Sequence, residues 1–265
     1  MSLLEVEGLG IDFGGVRAVD AVDFAVQPGE IVSVIGPNGA GKTTLFNLIS
    51  GIYQPSRGSV RLDGRDVTGL APNLLAARGL SRTFQNLQIF QQMTALENVM
   101  AGRHLAERPS VLADLLGLPS SRRRTRESRD QARALLERVR LADLADRPAS
   151  ALAYGQLKRL EIARALACEP RLLLLDEPAA GCNAVETEEI DGLIAEIARG
   201  GVAVLLVEHD MKLVMKISQH IVVLDYGRKL AEGPPEQVRH DPKVIEAYLG
   251  SHAGAGQGEA TDADG

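Results

Sequence analysis

Tryptophan is absent from the 265 residues, and aromatic side chains are scarce overall, at five Phe and four Tyr. A chain so poor in rings lacks the stacking platform on which single-stranded nucleic acid is held. A basic excess is missing too: 29 Lys and Arg stand against 35 Asp and Glu, a formal net charge of −6. The electrostatic footprint of a dedicated nucleic-acid binder is therefore not there. The two cysteines, Cys168 and Cys182, are too few for a disulfide framework and too sparse for a metal site, which points to a reducing compartment. Long apolar runs are also lacking. Ile31 to Ile35 is interrupted by Ser33, Leu172 to Leu175 ends at Asp176, and Val202 to Val207 ends at Glu208. None approaches the roughly 18 residues of a membrane span. Glu5 and Glu7 stand where a secretory leader would carry basic residues, so the chain reads as one that is not exported.

What is present is enough apolar material for a real interior, 45% of the residues. Val22, Phe24 and Val26 alternate before the turn Gln27-Pro28-Gly29, the pattern of antiparallel strands near the start. Further strands are expected through Val60 and Leu62 to the Asp63-Gly64 turn, and from Leu80 to Phe84. From about residue 87 to 167 the composition turns helical and more charged, with Leu135, Leu136 and Val139 on one face; this reads as an inserted helical subdomain. Its basic run, Arg122, Arg123, Arg124 and Arg126, reads as a solvated loop, with an anionic-lipid or partner contact as the sharper alternative. Strand and helix then alternate: Leu172 to Leu175 and Val202 to Val207 are strands of buried type, and Ile190, Leu193, Ile194 and Ile197 lie at helical spacing. A parallel sheet covered by helices follows. Ile221 to Leu224 and Lys229 to Ala231 form a last strand pair around Tyr226-Gly227, with a short helix from Val244 to Leu249. One domain over residues 1–250 is expected, and a disordered tail over 251–265, where almost nothing can be buried.

Gly36-Pro37-Asn38-Gly39-Ala40-Gly41-Lys42-Thr43-Thr44 satisfies G-x-x-x-x-G-K-[ST] between an expected strand and an expected helix. Glycines let consecutive N–H groups point inward at phosphate oxygens, the helix N-terminus adds its positive end, Lys42 supplies a charge, and Thr43 offers a hydroxyl to Mg²⁺. The fold class is thus an α/β P-loop NTPase core with an antiparallel β subdomain and the helical insertion. At the end of Leu172 to Leu175, Asp176 is placed to reach the Mg²⁺ shell and Glu177 to orient or deprotonate water.

These elements, with several others in matching order, resemble the nucleotide-binding subunits of ABC transporters. Phe84-Gln85 resembles the family's Q-loop, Leu152-Ala153-Tyr154-Gly155-Gln156 its signature motif, Ala180-Gly181-Cys182-Asn183 its D-loop, and Val207-Glu208-His209-Asp210 its switch-histidine loop. Phe13 stands where the family places an aromatic against adenine. The resemblance implies ATP and Mg²⁺ as cofactors, with Asn38 to Thr44 on the phosphates and Thr43, Asp176 and Gln85 toward the metal. It further implies Glu177 and His209 at the γ-phosphate, Gln85 also at the attacking water and coupling the γ-phosphate to the helical subdomain, and Tyr154, Gly155 and Gln156 facing ATP held by an opposite subunit. Ala153 replaces the usual signature Ser, leaving that contact to backbone N–H groups. Asn183 replaces the usual D-loop Asp, and Cys182 reads as a small hydrophobe.

A narrower likeness rests on Phe13-Gly14-Gly15, Arg82-Thr83-Phe84-Gln85, the Ala-Tyr form of the signature, Asp176 to Gly181, Glu208 to Met211, and Asp241 to Gly250. Together they resemble one of the two ATPases of bacterial branched-chain (hydrophobic) amino-acid importers. That kinship implies two membrane permeases, a second ATPase subunit or a homodimer in isolation, a periplasmic binding protein acting indirectly, no nucleic acid, and a peripheral place on the cytoplasmic side of the inner membrane. Met93 to Val99 would receive a permease; the same residues form a helix start, with Thr94 as N-cap and Glu97 completing a capping box. An exporter or lipid-transport ATPase, and a soluble ABC-type ATPase, are the alternative functions. A P-loop kinase is excluded by the signature and the switch histidine.

Overall fold

The computed structural model describes residues 2–83, 87–103 and 119–254. In chain order the strands are β1 Leu4–Phe13, β2 Val16–Val26, β3 Ile31–Ile35, β4 Arg57–Leu62, β5 Arg65–Asp66, β6 Leu80–Arg82, β7 Leu172–Asp176, β8 Ala203–Val207, β9 His220–Asp225 and β10 Arg228–Gly233. The helices are α1 Lys42–Ile49, α2 Pro72–Ala76, α3 Ala95–Gly102, α4 Pro119–Arg138, α5 Tyr154–Leu166, α6 Ala184–Arg199, α7 Met211–Ile217, α8 Pro235–Arg239 and α9 Pro242–Gly254.

Two sheets divide the strands. β2, β1, β4 and β5 form an antiparallel sheet in that order, and β10, β9, β3, β8, β7 and β6 form the second. In the second, every pairing is parallel except that of β10 with β9. Its central strands are apolar without interruption because both faces are covered. Leu172, Leu174, Leu205 and Val207 point into one cluster with α1 and the antiparallel sheet, while Leu173, Leu175, Val204 and Leu206 point into another with α5 and α6. Each leucine of β7 is fully buried, a contribution of roughly 2 kcal/mol apiece by transfer. α1 buries Leu45, Phe46, Leu48 and Ile49, more than one face, since it lies between the two sheets.

The helical insertion packs on the second cluster through Leu96, Val99, Ala132, Leu136 and Leu160. Thr94 and Glu97 form the expected capping box: Thr94 Oγ1 accepts from the Glu97 N–H at 3.2 Å, and Glu97 Oε2 accepts from the Thr94 N–H at 2.8 Å. Such a cap is worth about 1 kcal/mol to the helix it opens. The arginine run corrects the sequence reading. Arg122 to Arg126 lie inside α4 rather than in a loop. Ser128, Ala132 and Leu136 are buried at i, i+4, i+8, which anchors the helix. Arg123 and Glu127 pair at 3.4 Å along its exposed side. The last helix, α9, runs to Gly254, four residues past the expected boundary at Gly250; Ser251, His252 and Ala253 carry no helix breaker. The rest of the expected tail, residues 255–265, lies outside the described residues.

Candidate active site

β3 enters the sheet's interior with Val32 and Val34 buried, and Ser33 joined to Ser218 by their hydroxyls at 2.6 Å. At its carboxyl end the chain must turn sharply. Gly36 (φ 150°) and Gly41 (φ 98°) adopt backbone conformations that L side chains avoid. A Cβ on Gly36 would run into the Leu224 carbonyl oxygen, and one on Gly41 would lie 2.7 Å from that of Ala18. The loop is thus pressed between β9 and β2, and the Gly227 N–H pins it by donating to Ala40 at 3.0 Å. Helix α1 begins at Lys42 with no side-chain cap. Its first N–H groups remain free for an anion, reinforced by the helix dipole.

Residues 38–44 of this loop line a cleft of about 500 Å³ together with Val16 to Ala18, Glu177 and the Tyr226-Gly227 turn. Lys42 Nζ donates to the carbonyls of Gly36 at 2.7 Å and Pro37 at 3.0 Å. Burial lowers its pKa, while the charges of Glu177 and Asp176 oppose that shift. Glu177 takes φ 47°, a left-handed conformation that costs a residue with a side chain roughly 1–2 kcal/mol. Its N–H donates to Val207 at 2.9 Å, which fixes it across the ends of β7 and β8. His209 Nδ1 lies 3.7 Å from Glu177 Oε1, so the imidazole and the carboxylate meet at the carboxyl ends of these strands. Ligand sites of open α/β sheets lie at such carboxyl ends.

Asp176 is buried, and burial raises its pKa against the opposing charge of Arg82. The side-chain oxygen donors here are few: Thr43, Thr44 and Glu177 line the cleft, and Asp176 stands just before Glu177 at the end of β7. Among the described residues no group of three His, Cys, Asp or Glu gathers into a metal cage. So sparse an oxygen set fits Mg²⁺, which keeps its waters and takes substrate phosphates, and does not fit a dedicated structural ion.

Several of the expected residues do not line the cleft. Phe13 does not line it; the ring is exposed and meets Tyr53 edge-on, centroids 5.4 Å apart. Tyr154, Gly155 and Gln156 open α5 elsewhere, with Tyr154 against Gly181, and Gly155 so close to Glu186 that a Cβ would sit 2.6 Å from its carboxyl group. Phe84 and Gln85 lie outside the described residues. At the signature helix, Gln156 accepts from the Ala153 N–H at 2.9 Å, but Ala153 has no hydroxyl to return the bond. The α5 N-terminus therefore presents open amides. Asn183 caps α6 in full, accepting from Val185 and Glu186 at 3.0 Å each. Cys182 is half-buried against the second core cluster, and burial raises its thiol pKa.

Sequence reasoning missed three buried polar residues. Arg82 pairs with Asp176 at 2.9 Å. Lys158 on α5 is buried and reaches the Glu177 carbonyl at 3.4 Å. Glu208 is buried and accepts from the N–H groups of Ala179 at 3.4 Å and His209 at 3.1 Å, which joins the D-loop region to the switch loop. The Arg-Thr-Phe-Gln and Glu-His-Asp stretches drew attention to two of them but gave no role.

The ABC transporter family profile matches residues 19–180, and that of the branched-chain amino acid ATP-binding cassette transporters matches residues 228–254. The chain is 51% identical over 249 residues to the high-affinity branched-chain amino acid transport ATP-binding protein BraF of Pseudomonas aeruginosa, covering 94% of this chain and 98% of that one. It is 49% identical, with the same coverage, to the corresponding protein LivG of Escherichia coli. Among solved structures, the ADP conformation of MJ1267, an ATP-binding cassette of an ABC transporter, superposes with TM-score 0.82 at 34% identity, over 94% of this chain and 99% of that one. The ADP- and Pi-bound dimer of the cassette MJ0796 superposes with TM-score 0.73 at 26% identity, over 88% and 98%. The glycine-shaped loop after β3, the strand-end carboxylates, His209 beside Glu177 and the whole-length likeness agree: the chain belongs to the ABC transporter family, as one of its branched-chain amino acid ATP-binding cassettes.

Proposed function

We propose that this chain binds and hydrolyses ATP to power a bacterial importer of branched-chain or other hydrophobic amino acids. The observation that supports this most is the meeting of Glu177 with Asn38 to Thr44 in one cleft, with His209 beside the carboxylate. The open amides of residues 38–44 and α1 take the phosphate oxygens, and Lys42 turns from the loop carbonyls to the β and γ phosphates. Phe13, edge-on to Tyr53 beyond the cleft, offers its exposed face to adenine. Glu177 accepts a proton from water as the water oxygen bonds to the γ-phosphorus and the bond to the bridging β–γ oxygen breaks, leaving ADP and phosphate. His209 holds Glu177 in line and contacts the γ-phosphate. Thr43, Asp176 and Gln85 would hold Mg²⁺, which when bound neutralises charge on the phosphates.

Tyr154, Gly155 and Gln156 lie outside the cleft of their own chain, so their free N-terminal amides serve ATP on an opposite subunit. That subunit is a second ATPase or a second copy. Two permeases dock at Met93 to Val99, a periplasmic binding protein delivers solute to them, and the assembly sits on the cytoplasmic face of the inner membrane. No helix among the described residues is long and apolar enough to cross a membrane. Mass spectrometry of proteins co-purifying with a tagged copy from detergent-solubilised native membranes tests this. Two polytopic permeases and a second, shorter ATPase are expected; soluble partners alone would overturn the transport reading.

A further inference from the structure

Arg82 stands at the carboxyl end of β6, the edge strand beside β7, and its side chain is only 7% exposed. Its guanidinium joins two elements that the active site uses. Nη1 donates to Asn47 Oδ1 on α1 and to Ser50 Oγ at its C-cap, both at 2.7 Å, and Nη2 donates to Asp176 Oδ2 at 2.9 Å. The Phe46 ring lies beneath the group, 5.7 Å from centroid to guanidinium carbon. Burying such a pair brings little stability, since well-packed apolar residues of similar volume often do as well or better. Its use has to be sought in geometry. A carboxylate held at one oxygen by one arm of a planar guanidinium, whose other arm is anchored at α1, is restrained about its terminal torsion. Outer partners that orient a metal-binding side chain are worth about 10- to 100-fold in metal affinity.

We propose that Arg82 is a positioning residue of the metal site. It ties the Asp176 carboxylate to the helix that follows the phosphate loop and leaves the second carboxylate oxygen to the metal shell. This rests on the assignment of Asp176 to Mg²⁺. The role is geometric: simple electrostatics works the other way, because removing a positive charge beside a cation site tightens cation binding.

The test is a titration of the full chain with Mn²⁺, followed by electron paramagnetic resonance at saturating ADP, together with ADP affinity measured in EDTA. Arg82→Met is expected to weaken Mn²⁺ binding about 10- to 100-fold and to leave ADP affinity in EDTA unchanged. Arg82→Lys, which keeps the charge without the fork, is expected to weaken it as well. Unchanged or tighter Mn²⁺ binding in Arg82→Met, or full recovery in Arg82→Lys, overturns the proposal. Should Arg82→Met fail to fold, Asn47→Ala removes one anchor of the fork alone; Mn²⁺ binding is then expected to weaken by a smaller factor, and no weakening overturns the proposal. Asp176→Asn separates the two levels. If it binds Mn²⁺ as the native chain does, the metal assignment itself falls; if it weakens binding while Arg82→Met does not, only the positioning role falls.

Discussion

Glu177→Gln is expected to bind ATP as the native chain does and to hydrolyse it about 10²- to 10⁴-fold more slowly, the range lost with a general base. The substitution keeps size and shape and removes only the ability to take a proton. Glu177 contributes its carboxylate to the cleft wall, while the groups placed to hold phosphate are the loop amides and Lys42. The backbone that fixes it, with its N–H on Val207 and its carbonyl near Lys158, does not depend on the side chain's charge. Single-turnover phosphate release, read beside equilibrium ATP binding, separates the two effects. Undiminished hydrolysis would remove Glu177 from the proton-transfer role.

Lys42→Ala is expected to act one step earlier, on binding. A charge-assisted hydrogen bond contributes roughly 1.5–3 kcal/mol, or about 10- to 100-fold in affinity. In the empty protein the same ammonium closes the loop on the Gly36 and Pro37 carbonyls, bonds that it gives up on turning to phosphate, so the loss is expected within that range. Removing it frees two acceptors and slackens the turn that aims the amides. Lys42→Met loses the same ammonium and both of its hydrogen bonds but keeps most of the stem's packing, so its defect is expected to be of similar size. Calorimetric titration with ATP reads both variants; native affinity in Lys42→Ala would contradict the phosphate-loop assignment.

Much of this site was legible in the sequence because its constraints are local. A glycine that must take φ 98° beside a carbonyl, followed by Lys and Thr at a helix start, leaves its mark in consecutive residues. Four leucines ending in Asp-Glu mark a strand covered on both faces that stops at the carboxyl end of the sheet. Its neighbour β8, and β3 beyond it, are marked by similar apolar runs. What escaped the sequence is polar, buried and distant along the chain. An arginine reads as a surface residue, and nothing near Arg82 shows that its partner lies 94 positions away at Asp176. The buried Lys158 and Glu208 are hidden for the same reason: their partners belong to other elements. The α4 arginine run misled in the opposite way. Four arginines in five positions carry no apolar period, and the helix is fixed by Ala132 and Leu136 further along.

The proposed division of the site between chains also rests on placement. Within one chain the cleft contains the phosphate loop and Glu177, while the signature helix opens against its own Gly181 and Glu186. A helix N-terminus with no hydroxyl at Ala153 and unused amides is suited to an anion brought by another molecule. In this account ATP joins two subunits, and hydrolysis releases them to reset the permeases.

The most direct test of the central claim is uptake of radiolabelled leucine, isoleucine and valine into proteoliposomes carrying the purified complex, with ATP and Mg²⁺ supplied on the ATPase side and binding protein on the other. The account predicts accumulation that requires ATP and is abolished when this chain carries Glu177→Gln. Uptake that proceeds without ATP, or that persists in the Glu177→Gln complex, would contradict it.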